Sequence, residues 1–223
     1  MKPIAGGYWA IPGTIELADG RRVALDLAMD LGYNDYLQVD PREANKLAVP
    51  ERTLEASLGF GAQGETRGFI GRIRAVEIGK YRLPDLLTGF VAPDDKGTVT
   101  TEALIGLGLF SRFNIVYDYP GRRMFLEPNR RFAEPSEYDM SGLVMRRGKD
   151  GEFLVERVHP GSPADEAGIA AGDAITKING IASSACDRFD LHDLFRTSGA
   201  QVTLSVTRNG SERTISLTFR RMI

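Results

Sequence analysis

The sequence predicts a mostly β protein built as two domains, and three observations carry that expectation. Residues 1 to 126 break into short alternating stretches, "GTIEL", "RRVALDLAM", "YLQVD", "GFIGRIRAVEIG", "NIVYDY" and "RRMFLEP", punctuated by Gly, Pro, Asn and Asp. Residues 127 to 139, "EPNRRFAEPSEYD", are polar, contain two prolines and have no period, which reads as a linker. Near the C-terminus, Asn209-Gly210 separates two alternating stretches, a strong hairpin signal because both residues tolerate the left-handed backbone of a tight two-residue turn. The expected division is a first domain over 1–128, a linker over 129–137 and a second domain over 138–223.

Taken in order, the first domain adds two expected helices to its strands. One is "PREANKLA" after Asp40, and the other is "TEALIGLGLFSRF" at 101 to 113, interrupted by its glycines. The second domain opens with a strand-like "GLVMRR" and a turn at "GKDG", then "EFLVERV" and a short helix at "SPADEAG". A strand "DAITKING", a helix around "DRFDLHDLFRTSG" and the closing hairpin "QVTLSVTRNGSERTISLTF" complete it. No repeat of fixed period and no low-complexity tract interrupts this order.

Composition narrows the function classes. The chain has 223 residues, 42% of them hydrophobic, enough for real cores. Its 28 basic and 30 acidic residues give a net charge of -2, so nothing electrostatic invites nucleic acid, and "RRF" at 130 to 132 is too short for a basic patch. Cys186 is the single cysteine, so an internal disulfide is excluded. No apolar run reaches the roughly 18 residues of a membrane span, and the start "MKPIAGGYWAIPG" lacks the apolar core of a leader peptide. Two histidines and one cysteine make no convincing zinc site, and no G-x-S-x-G or Cys-His arrangement supports a serine or cysteine nucleophile. No cofactor or metal is expected. "GFGAQG" at 59 to 64 fits a dinucleotide fingerprint, but an alternating strand pattern follows it where that reading needs a helix.

The stretch "HPGSPADEAGIAAGDAITKING", 159 to 180, resembles the core of a PDZ domain of the kind attached to bacterial proteases. The physics agrees: Ser162-Pro163 starts a helical turn, Gly168 ends it, and Gly172-Asp173 turns the chain into the strand Ala174 to Ile178. The resemblance implies a β sandwich with two helices, whose groove takes an extended peptide or protein C-terminus as an added strand. By the same resemblance the carboxylate-capturing loop is Ser141-Gly142-Leu143-Val144-Met145, its peptide-binding residues Gly142, Leu143, Val144 and Met145, with Val144 where the family favours glycine. His192 and Phe195 are the candidates for the opposite wall. Leu191, Leu194 and Phe195 read equally well as the core face of a surface helix.

The stretch "DLGYNDYLQVDP", 30 to 41, resembles the active-site region of a retropepsin-like aspartic protease lobe, in which Asp-Thr-Gly precedes a short apolar strand. "GFGAQGETRGFIGRI" at 59 to 73 stands where such a lobe has its flap, giving Gly61, Gln63 and Gly64 as flap candidates. "ALIGLGLFSRFNIVYDYPGRRMFLEP" at 103 to 128 resembles the apolar-apolar-Gly turn that packs under the aspartate loop, followed by two closing strands. The implied fold is a closed β barrel acting as one acid-protease lobe. The implied catalytic residue is Asp30, with Leu31 and Gly32 completing the loop.

Aspartic proteases use two carboxylates, one from each lobe, that share a proton across a water. A single lobe supplies half of this. The expected partner is therefore a second lobe, either upstream in a longer parent chain or in a second copy of this one. Leu31 stands where Thr or Ser normally bonds across to the partner lobe, so the isolated chain is expected to be inactive. Asp30 also fits a plain structural turn, since Asp-X-Gly turns are frequent, and Asp26 is a weaker catalytic candidate. The competing function is a catalytically silent protein that binds peptides through the PDZ groove. The resemblance would place the parent protein in the periplasm or cell envelope.

Overall fold

A computed structural model describes residues 1–44, 47–61, 64–95 and 101–223. The chain forms two compact units, Met1–Ser136 with Ile223, and Glu137–Met222. Both are mostly β.

The first unit contains β1 (Lys2–Pro3), β2 (Trp9–Glu16), β3 (Arg22–Met29), β4 (Leu37–Val39), β5 (Leu54–Gly61), β6 (Gly64–Ile78), β7 (Tyr81–Val91) and β8 (Ala103–Ile105). A short helix α1 (Leu107–Phe110) and the hairpin β9 (Phe113–Asp118) and β10 (Arg123–Pro128) follow. The main sheet runs β1-β2-β3-β8-β4-β7-β6-β5, and an extra pairing of β2 with β6 closes six of these strands into a barrel. Alternation fills it: Ile11 and Ile15, Leu25 and Leu27, Ile73, Leu86 and Phe90 point into one buried cluster, each contributing about 1.5–3 kcal/mol of side-chain burial. The crossover matters most for function. β8 lies between β3 and β4, parallel to the first and antiparallel to the second. The connection between β3 and β4 must therefore cross the end of β8.

Several local expectations give way here to tertiary context. β8 occupies part of the segment expected to be helical from 101 to 113, and only Leu107–Phe110 are helical. After Asp40 the described residues make a turn, with Glu43 and Ala44 N–H donating to the Asp40 carbonyl, and not a helix. β5 and β7 have no counterpart among the expected strands. In β7, Pro84 and a left-handed Asp85 (φ 49°) break the alternation that marks a strand, yet β6 pairs with it on both sides of Asp85. The expected linker is also less free than its composition suggests. Phe132 packs edge-on to Phe113 and Tyr81, and the buried Ser136 hydroxyl accepts from Leu87 N–H at 2.9 Å and donates to the Asp85 carbonyl.

The second unit contains β11 (Leu143–Arg147), β12 (Phe153–Val158), α2 (Pro163–Glu166), β13 (Ala174–Ile178), β14 (Ile181–Ala182), α3 (Arg188–Phe195), β15 (Gln201–Arg208) and β16 (Ser211–Thr218). Its sheet runs β11-β12-β13-β15-β16, with β14 paired to β13. α2 starts where expected: Ser162 Oγ accepts from Asp165 N–H at 3.2 Å, Pro163 follows, and Gly168 turns left-handed (φ 73°). Asn209 and Gly210 both adopt positive φ between β15 and β16.

Asp173 anchors this unit electrostatically. Its carboxylate is fully buried, takes Arg208 in a two-pronged pair at 2.5 and 2.7 Å, and accepts Ala170 N–H at 3.0 Å. The Arg208 guanidinium holds its carboxyl below the ordinary carboxylate range. A carboxyl depressed in the folded state stabilises above its unfolded pKa and loses that contribution as pH falls through the folded one. Asp173→Asn is expected to lower the thermal midpoint of this unit by roughly 5–10 °C near neutrality. The difference from wild type should shrink on acidification, and a pH-independent difference would refute the ion-pair account.

Candidate functional site

Two loops carry the candidate chemistry, one in each unit. In the first unit β3 ends at Met29, and the parallel register with β8 continues one step further, through Asp30 N–H donating to the Ile105 carbonyl at 3.0 Å. Asp30 is half-buried, and its Oδ1 accepts Gly32 N–H at 2.8 Å, closing a tight turn. Leu31 at the tip is 55% exposed. The turn Gly106-Leu107-Gly108 lies directly against this loop. Leu107 N–H donates to the Tyr33 carbonyl at 2.7 Å, Gly106 N–H to that of Tyr36 at 3.1 Å, and Gly108 N–H to those of Asn34 and Asp35.

Space explains the glycine at 106. Its φ of -110° suits any residue, but a Cβ there would sit 2.3 Å from the Tyr33 carbonyl oxygen and 2.5 Å from that of Asp35. The sequence reading expected this turn beneath the aspartate loop, and the two segments do meet. It missed Tyr33, whose hydroxyl is buried without a hydrogen-bond partner and is pushed above the ordinary phenol range by burial and by the charge of Asp35. An aromatic directly after Asp-X-Gly was the available signal.

The other candidates in this unit stand apart. Asp26 lies within β3, paired with Lys2 at 2.5 Å, with its N–H on a Glu102 carboxylate oxygen. Gly61 and Gly64 face each other across the β5–β6 hairpin, and Gln63 lies outside the described residues. Both histidines of the chain, His159 and His192, belong to the second unit, so the barrel holds no histidine for a Ser–His pair. Among the described residues no group of three His, Cys, Asp or Glu side chains could hold a metal, and no helix is long and apolar enough to cross a membrane.

In the second unit β11 is an end strand, and Gly142 to Met145 form its entry. Gly142 has φ 81°, and a Cβ there would lie 2.1 Å from Ser162 Cβ, so only glycine fits. The loop is fastened from several sides. Ala164 N–H donates to the Ser141 carbonyl, His159 N–H to that of Gly142, and Met140 N–H to the carbonyl of Phe195 at the end of α3.

His192 is exposed, beside Asp193 at 3.1 Å. Phe195 is buried, its ring 5.1 Å from that of Phe219 within the core cluster, and Leu191 and Leu194 pack against the same cluster. The apolar face of α3, Phe195 included, is thus turned to the core, while His192 lies on its exposed side. The sequence reading also missed Asp139, whose carboxylate fills the entry of the loop. An Asp two residues before Ser-Gly was its signal.

Comparison with known proteins bears on both units. A PDZ-domain family model matches residues 154–208, in the second unit. A putative serine protease HhoA of Synechocystis is 28% identical over 225 residues, covering 95% of this chain and 50% of that protein. A probable CtpA-like serine protease of Staphylococcus aureus is 32% identical over 94 residues, 41% of this chain and 19% of that one. The chain therefore spans about half the length of the first relative and about a fifth of the second. Among solved structures, a retropepsin-like aspartic protease from Rickettsia conorii aligns over 52% of this chain and 80% of its own, at 19% identity and a TM-score of 0.37, too low to weigh in the argument.

Proposed function

We propose that the barrel of this PDZ-containing, protease-related chain is one lobe of an aspartic-type peptidase, with the PDZ domain holding extended substrate. One observation carries the reading. The loop of Asp30 crosses the end of β8 and rests on the glycine turn at 106–108, so a half-buried carboxylate is presented on a rigid support. In this role Asp30 is one of two catalytic carboxylates, Leu31 and Gly32 shape its loop, and Gly61, Gln63 and Gly64 belong to the flap. The second carboxylate comes from a partner lobe. Leu31 and Leu107, 55% and 45% exposed beside the loop, offer an apolar surface for that association.

The relatives named as serine proteases set the rival mechanism, a Ser–His pair, for which the barrel supplies no histidine of its own. A single assay separates the two. Hydrolysis of unfolded peptide by the assembled protein is expected to be fastest at acid pH and untouched by a phosphonofluoridate that phosphonylates active-site serine. Complete inactivation by that reagent would end the aspartic reading. The second reading, a silent lobe carrying a peptide-binding module, is favoured by Leu31, whose isobutyl group cannot make the hydroxyl bond across to a partner. No hydrolysis at any pH or protein concentration, with peptide binding retained, would establish it.

A further inference from the structure

In the second unit the first amides of the candidate carboxylate loop, those of Ser141, Gly142 and Leu143, are already engaged from within. Asp139 Oδ1 accepts Ser141 N–H at 2.8 Å, Gly142 N–H at 3.2 Å and the Ser141 hydroxyl at 2.5 Å. Ser141 Oγ in turn accepts Leu143 N–H at 3.0 Å. Three consecutive loop amides are thereby satisfied by two side chains of the same loop. The Ser141 and Gly142 carbonyls are pinned by Ala164 and His159, and Gly142 is wedged against Ser162, so the loop has no room to swing and expose its amides elsewhere. Burial is the largest influence and raises the Asp139 carboxyl above the ordinary carboxylate range, against the opposing pull of its three donors and the charge of Arg196.

The rest of the edge is open. His159 N–H bonds the Gly142 carbonyl, Gly148 N–H bonds the Glu152 carbonyl, and Val144 pairs with Arg157 and Arg146 with Leu154, with a bulge after Val144. Antiparallel alternation then turns the even-numbered residues of β11 toward β12 and aims the backbone groups of Leu143, Met145 and Arg147 outward. With Leu143 N–H spent on Ser141, the outward backbone groups that no bond among the described residues engages are those of Met145 and Arg147, and a guest strand would meet them there.

We propose that this groove takes an internal, extended peptide segment by strand addition and does not select a terminal carboxylate, because Asp139 occupies that position as a built-in substitute. The inference rests on the peptide-binding reading of the second unit. A ligand carboxylate would have to displace the Asp139 oxygen from three donors, or settle as a second negative charge beside it, and both are unfavourable. A segment that runs through the groove incurs neither cost.

The test is a positional-scanning decapeptide library made once as free acids and once as C-terminal amides, with binding read by fluorescence polarisation against the full chain. Acid and amide pools are expected to bind within about twofold of each other, and the best pool should shift the amide signals of Met145 and Arg147. Tighter binding of the acids by tenfold or more in the wild type would overturn the proposal, and this comparison needs no variant. Asp139→Ala, which frees the Ser141 and Gly142 amides, is expected to bind acids at least fivefold better than amides. A folded Asp139→Ala that gains no such preference would also overturn it. If neither pool binds and no signal from 143 to 147 moves, the peptide-binding reading itself falls, a result distinct from a measured preference for acids.

Discussion

Asp30→Asn is expected to abolish peptide hydrolysis by the assembled protein, by about a thousandfold or more, while leaving the barrel intact. The two halves of that expectation rest on different atoms. Asparagine keeps the side-chain oxygen that accepts Gly32 N–H, so the turn and its place over the 106–108 turn survive and the unfolding midpoint should stay within about 0.5 kcal/mol of wild type. The carboxylate is lost, and an amide can neither take a proton from an attacking water nor share one with a second carboxylate.

If the second carboxylate comes from another copy of the chain, the rate per chain should rise with protein concentration, because the site is complete only in the dimer. Leu31→Thr should raise the wild-type rate by restoring a hydroxyl at the lobe contact. An Asp30→Asn variant that hydrolyses peptide at the wild-type rate would remove this residue from the mechanism.

Gly106→Val is expected to destabilise the barrel by about 3 kcal/mol or more, a large part of the stability of an ordinary domain. The backbone torsions of Gly106 are ordinary, so the cost arises from space alone. The added Cβ would overlap two carbonyl oxygens of the Asp30 loop, at 2.3 and 2.5 Å, both of them backbone atoms that cannot rotate away. Separating the segments would also strain the bonds from Gly106, Leu107 and Gly108 to the loop, each worth roughly 1 kcal/mol. Denaturant unfolding should show an earlier midpoint for the barrel transition. Hydrogen exchange should show early loss of protection at Leu107 and Gly108 with the second unit unaffected. A midpoint equal to wild type would mean that the loop and turn do not pack as described.

The legible parts of the protein are those whose causes are local. Pro163 after a capping Ser162, Gly168 beyond the helix and Asn209-Gly210 between strands each write a backbone torsion into one or two residues, and each is found where it was expected. The Asp-Leu-Gly turn is of the same kind, whereas the meeting of Gly106 with the loop above it is a long-range contact that only the family resemblance made legible. β8 was illegible because three residues carry too little alternation to mark a strand. They become one only where β3 and β4 offer hydrogen bonds on both sides. β7 was hidden by Pro84, a residue that a long neighbour such as β6 can carry.

The sequence by itself determined the two β-rich units, the turns that frame them, the glycine-lined loop at Asp30 and the PDZ-like order of the second half. Tertiary structure alone decided which side chains those loops spend and which they offer. Phe195 went to the core because the sheet beneath α3 needed covering, the Tyr33 hydroxyl was buried by what packs over it, and Ser136 was drawn onto the barrel by its bonds to the Asp85 carbonyl and the Leu87 N–H. The physical reason is that a turn is set by the torsions of its own residues. Burial and hydrogen-bond satisfaction are instead set by atoms far along the chain, which meet only once the sheets have closed.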